Sequence, residues 1–150
     1  MSKAAGNIIE ILADLPDFLR KPMLKNRLKE FYAMTDKEKY ETIEMALSAA
    51  SLIDQRKLSV LFRTWLEVLT EFDSEKRIIM FQTYCRQILA NEHSLERLDF
   101  ASLTSIFLSL DQKQRERLTD SLHEVLFSFP NRNEIIKLVP EISLKAIGLR

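Results

Sequence analysis

Between Asn7 and Ile147 the chain has no glycine, and its 150 residues contain only two. Average usage is about 7%. Glycine supplies the positive φ of tight hairpins and the bare backbone that lets a loop approach a phosphate. Its absence from the interior argues against a P-loop, a Rossmann turn, a nucleophile elbow and a sheet rich in hairpins. Helix remains, and apolar residues fall at helical spacing. Leu58, Leu61, Phe62, Trp65, Leu66 and Leu69 follow the i, i+3, i+4, i+7 rule, as do Ile78, Phe81, Tyr84, Cys85, Ile88 and Leu89. No window of comparable length alternates with period two.

Helix starts carry cap chemistry. Thr35 with Glu38, Asp111 with Gln114 and Asn131 with Glu134 each pair a side-chain acceptor with an acid or amide three residues on, the pattern of a capping box. Asp54, Asp73 and Ser94 or Asp99 are further N-cap candidates. The pattern predicts helices over 7–15, 22–34, 36–50, 55–70, 74–90, 95–110, 112–129, 134–139 and 141–147. Pro22 fits the first helical position of its helix, where its missing N–H costs nothing. Pro130 and Pro140 punctuate helix ends.

Three of these caps repeat. Thr35, Asp73 and Asp111 stand at ungapped intervals of 38. One residue before them are Met34, Phe72 and Leu110; four before, Phe31, Leu69 and Phe107; eleven before, Leu24, Phe62 and Phe100. Eleven after come Ala46, Tyr84 and Leu122, and fifteen after, Ala50, Ile88 and Leu126. Each unit is then two helices around one cap, and the units run over 17–54, 55–92 and 93–130, with 1–16 and 131–150 closing the ends. Helices of similar length in an irregular bundle would also produce some column matches.

The 38-residue unit resembles HEAT-like α-solenoid repeats in length and apolar pattern. The tryptophan, glycine, tyrosine and proline signature of tetratricopeptide repeats is missing, and no family-specific residue carries over. The expectation is one all-α domain, either a short right-handed α-solenoid of about three helical hairpins with capping helices or an irregular bundle. In the column eight before the cap, Arg27, Trp65 and Leu103 differ, as expected if the middle unit is covered by both neighbours. Trp65 is expected in the core. The small residues of "MALSAAS" predict a close helix approach, with the N-terminal helix as candidate.

Twenty-two basic and 22 acidic side chains cancel, so no global field steers the chain onto nucleic acid or an anionic membrane. The apolar content of 46% suits a globular core. One cysteine, Cys85, excludes an intrachain disulfide and a Cys cluster, and fits a reducing, cytoplasmic setting. No signal-peptide core and no run near the roughly 18 residues of a membrane span is found.

Candidate chemistry is sparse. His93 and His123 lie 30 positions apart, without the spacing of a metal site. Cys85 sits mid-helix in an apolar stripe and reads as a small hydrophobe. Glu38, Glu41 and Glu44 read as dipole complements and solvated surface. The densest charge cluster is Arg20, Lys21, Lys25, Arg27 and Lys29, a short basic face that suits phosphate or partner contacts. Ile142, Ile147 and Leu149 in the last ten residues fold back as a terminal cap or form an apolar patch for self-association. The expectation is a non-enzymatic interaction or scaffold module without cofactor or metal. Its partner is another protein or a second copy. Nucleic-acid association through residues 20–29 and a homodimeric structural protein are the alternatives.

Overall fold

The computed structural model describes residues 2–150, with side chains from Ile8 onward. Among these residues are nine α-helices, one 3₁₀ turn and no strand. They are α1 (Ser2–Asp14), α2 (Asp17–Tyr32), α3 (Asp36–Ala50), α4 (Gln55–Glu71), α5 (Ser74–Ala90), α6 (Phe100–Leu108), α7 (Gln112–Ser128), α8 (Arg132–Lys137) and α9 (Glu141–Ala146), with the 3₁₀ turn at Glu92–Leu95. No helix among them is long and apolar enough to cross a membrane.

Several expected boundaries move, among them the start of α1, at Ser2 rather than Asn7, and the span of α8; two starts and one cap have a local reason. α2 starts at Asp17 rather than Pro22, because the Pro16 carbonyl accepts the N–H groups of Leu19 and Arg20, both at 3.0 Å, and closes the first turn there. Pro22 then lies inside the helix and forfeits one backbone bond to the preceding turn. α6 begins at Phe100, not Leu95, where Asp99 accepts from both the Ser102 N–H at 3.2 Å and its hydroxyl at 2.7 Å. The capping box expected at Asn131 does not form. Asn131 has φ −97° and ψ 24°, outside the extended region that aims a cap side chain, and the Glu134 N–H goes to its carbonyl at 3.0 Å.

The other two boxes form in full. Thr35 Oγ1 accepts the Glu38 N–H at 3.2 Å while Glu38 accepts the Thr35 N–H at 2.9 Å, and Asp111 and Gln114 exchange the same pair at 2.8 and 3.2 Å. Asp73 accepts from the Lys76 N–H at 3.0 Å.

The preceding helix ends at these joints need partners too. Helix C-termini leave carbonyls without intrahelical donors, and proteins commonly close them with a glycine in the left-handed region. Among the described residues only Gly148 has positive φ. Instead, the basic residue four positions after the cap reaches back. Lys39 Nζ donates to the Met34 carbonyl at 2.7 Å, Arg77 Nη1 to the Phe72 carbonyl at 2.6 Å, and Arg115 to the Leu110 carbonyl. These donors also stand 38 apart, and Arg20 repeats the device at the α1–α2 joint, donating to the Leu15 and Leu12 carbonyls. The α2–α3, α4–α5 and α6–α7 joints are thus capped from both sides, and a cation at a helix C-terminus also complements the helix dipole.

Eight of the nine helices pack in two rows, for the most part each against the next but one, while α8 packs on α5. α1, α3, α5 and α7 form one row, and α2, α4, α6 and α9 the other. α4 bridges the rows through α1, α5 and α7, and Val68 and Leu69 on it are fully buried. α1 lies on α3, as the alanines of α3 suggest. At the C-terminus α9 packs on α6 with Leu144 buried, and the Ser143 and Thr104 hydroxyls bond at 2.7 Å. Gly148, at φ 77°, ends α9: its N–H bonds the Lys145 carbonyl at 3.1 Å and the Leu149 N–H bonds the Leu144 carbonyl at 2.8 Å. His123 Nε2 hydrogen-bonds the Ile147 carbonyl and holds the segment down. Ile147 and Leu149 pack on the core, while Ile142 stays exposed.

Candidate functional site

Four aromatic rings meet at the middle of the array. Trp65 stacks on Phe62 at 5.9 Å between centroids and meets Tyr84 and Phe81 edge-on at 5.4 and 6.4 Å. These rings form one wall of an apolar chamber of about 370 Å³. Trp65, expected in the core, packs against it half-buried and also lines this space.

Two of the columns at 38-residue spacing contribute all three members to the chamber wall. Leu24, Phe62 and Phe100 all line it, and so do Ala46, Tyr84 and Leu122. Ala46 and Ala50 sit where the other units carry Tyr84, Ile88 and longer chains, so the small residues that admit α1 also leave room. The lining runs from Ile9 in α1 to Ile147 beyond α9 and includes no charged side chain. Its polar groups are the Tyr84 phenol, Thr119 and the Thr104–Ser143 pair, whose hydroxyls bond each other. No described residue bonds the Tyr84 hydroxyl, and burial raises its pKa well above that of a free phenol.

The volume falls in the range of about 300–1,000 Å³ typical of ligand sites.

A second, polar cleft of about 630 Å³ lies where α3 and α5 end against the 3₁₀ turn. Gln87, 3% exposed, and Ser94 have buried side-chain oxygens without a hydrogen-bond partner among the described residues, and both line it. His93 Nδ1 lies 2.6 Å from Glu96, whose carboxylate raises the imidazole pKa, but both side chains are exposed. Among the described residues no three His, Cys, Asp or Glu side chains are placed to hold a metal ion. Cys85 is buried, and desolvation pushes its thiol up to about 11, far from the thiolate a nucleophile requires at neutral pH.

The basic residues expected to form one contact face are divided. Arg20 is 5% exposed and committed to the end of α1 and to Asp17, so it is a joint residue and not a surface contact. Lys21 and Lys25 both pair with Glu71 of α4, at 2.6 and 2.9 Å, and hold its carboxyl below the usual range. Arg27 pairs with Glu30 at 2.6 Å. Lys29 is exposed, with no ion partner among the described residues. Compared with known proteins, the chain matches no family model, no curated protein and no solved structure.

Proposed function

We propose that this chain is a non-enzymatic binding module, a short α-solenoid of helical hairpins that holds an apolar guest between its two rows and presents its outer face to another protein. The solenoid reading is supported by the next-but-one packing of the helices and by joint chemistry that recurs every 38 residues. One observation carries the functional reading: the chamber of about 370 Å³ offers apolar surface without an acid, base or charge on its wall. Apolar burial is the interaction such a wall supplies. A cytoplasmic setting fits the lone, buried Cys85.

Trp65 is the only tryptophan, so its fluorescence reports on the chamber. Bromonaphthalene, an uncharged apolar quencher, is expected to quench it saturably and to raise the melting temperature by mass action. Quenching that rises linearly without saturation, with no thermal shift, contradicts the reading.

Exposed apolar residues near the α1–α2 joint favour a second reading, docking of another protein or a second copy. Ile11, Phe18, Leu19 and Met23 are all exposed there, Phe18 at 76%. Light scattering of the chain and of Phe18→Ser tests self-association; a strictly monomeric wild type leaves only a different protein as partner. The phosphate-binding alternative gains nothing from a basic cluster whose members are buried or ion-paired, Lys29 excepted.

A further inference from the structure

We infer that the guest of the apolar chamber is a single hydrocarbon chain, a fatty-acyl or alkyl group of about a dozen carbons; this rests on the binding-module reading above. Three observations narrow the occupant. An α-helix with its side chains is about 10–12 Å across, so two turns fill roughly 850–1,200 Å³, more than twice the chamber's 370 Å³. An extended peptide is excluded on polarity. Each of its residues brings an N–H and a carbonyl that need partners, and the wall offers only the Tyr84 phenol, Thr119 and a Thr104–Ser143 pair that satisfies itself.

Charge is the third constraint. With no charged side chain on the wall, a carboxylate or phosphate head has no counter-ion inside and stays in water, leaving the tail as the buried part. An apolar cavity of about 150 Å³ accepts benzene. By proportion, 370 Å³ holds about fifteen non-hydrogen atoms.

The test uses the full chain and ω-bromo-undecanoate, whose terminal bromine quenches tryptophan on contact. Saturable quenching of Trp65 at one chain per protein is expected, with affinity falling about four-fold for each methylene removed from the probe. Ala50→Leu puts a side chain into the lining and is expected to abolish quenching by undecanoate while the circular dichroism stays helical. Presenting the same chain as the N-acyl group of a Gly-Ser peptide distinguishes a chain delivered on a protein from a free fatty acid, and binding of either form supports the inference. If bromonaphthalene binds saturably and the bromo-acyl probes do not, the hydrocarbon-chain inference is overturned while the binding-module reading stands. If neither binds, both fall. Chain-length independence, or quenching unchanged in Ala50→Leu, also overturns it.

Discussion

The joints and the chamber are made by the same helices in opposite ways. At the α2–α3, α4–α5 and α6–α7 joints the three units use one chemistry: a polar N-cap takes an N–H of the next helix, and Lys39, Arg77 or Arg115 takes a carbonyl of the previous one. Across the chamber the same register holds unlike residues, Ala46 against Tyr84 and Leu122, and the side chains leave space instead of filling it. The difference teaches that polar satisfaction fixes the joints, while the apolar face between the helices is left incompletely packed.

The comparison predicts unequal costs. Arg77→Ala should have the largest effect, because Arg77 is buried, donates to the Leu69 and Phe72 carbonyls and bonds the Ser121 hydroxyl of α7 at 2.9 Å. Leaving such groups without a donor costs about 1–3 kcal/mol each, so a loss of roughly 3 kcal/mol or more is expected in urea unfolding. Lys39→Ala, at a half-exposed joint, should cost under about 1 kcal/mol. Equal losses at the two joints would break the account of Arg77 as an inter-helix tie.

Trp65→Ala comes next. A tryptophan in a fully packed core costs about 3–5 kcal/mol on truncation, whereas Trp65 already faces the chamber, so about 2 kcal/mol is expected. A loss at the top of the core range would place Trp65 in tight packing and contradict the chamber.

Acid should weaken the joints gradually. Hydrogen bonds from the Thr35 and Lys76 N–H groups hold Glu38 and Asp73 below their ordinary values of 4.5 and 3.8. The unfolded chain therefore binds protons first as pH falls. The stabilisation is complete above about pH 4.5 and is lost as pH drops through the lower folded values. Urea midpoints should fall below about pH 4.5, beneath the range where protonation of His93 beside Glu96 adds stability; a midpoint that rises as pH drops through that lower range contradicts the sign.

How much of this is legible in the sequence depends on the range of the interaction. The Thr35–Glu38 and Asp111–Gln114 boxes are local, and the residues alone identify them. The cation column is equally local, and its signal, Lys39, Arg77 and Arg115 each four past a cap, stands in the same register; reading it requires asking where the orphan carbonyls of a glycine-poor chain find donors. The start of α2 misleads because Pro22 is a strong helix-start signal, while the turn that nucleates the helix depends on the Pro16 carbonyl and on Arg20 binding back to α1. The basic cluster is visible as charge, but Glu71, which neutralises Lys21 and Lys25, lies 46 residues beyond Lys25. The chamber is the least legible feature. Its columns show as apolar, yet unfilled volume arises from how nine elements meet, and no window of sequence contains that sum.

Thermal unfolding of Ala46→Leu and Ala50→Leu tests the central claim most directly, since both residues line the chamber. If the space is held open for a guest, filling it adds apolar contact without strain, and each variant melts higher, with a gain of about 0.5–2 kcal/mol. If the rows are in fact packed tight, the added side chains clash, and both variants melt lower by about 1–3 kcal/mol.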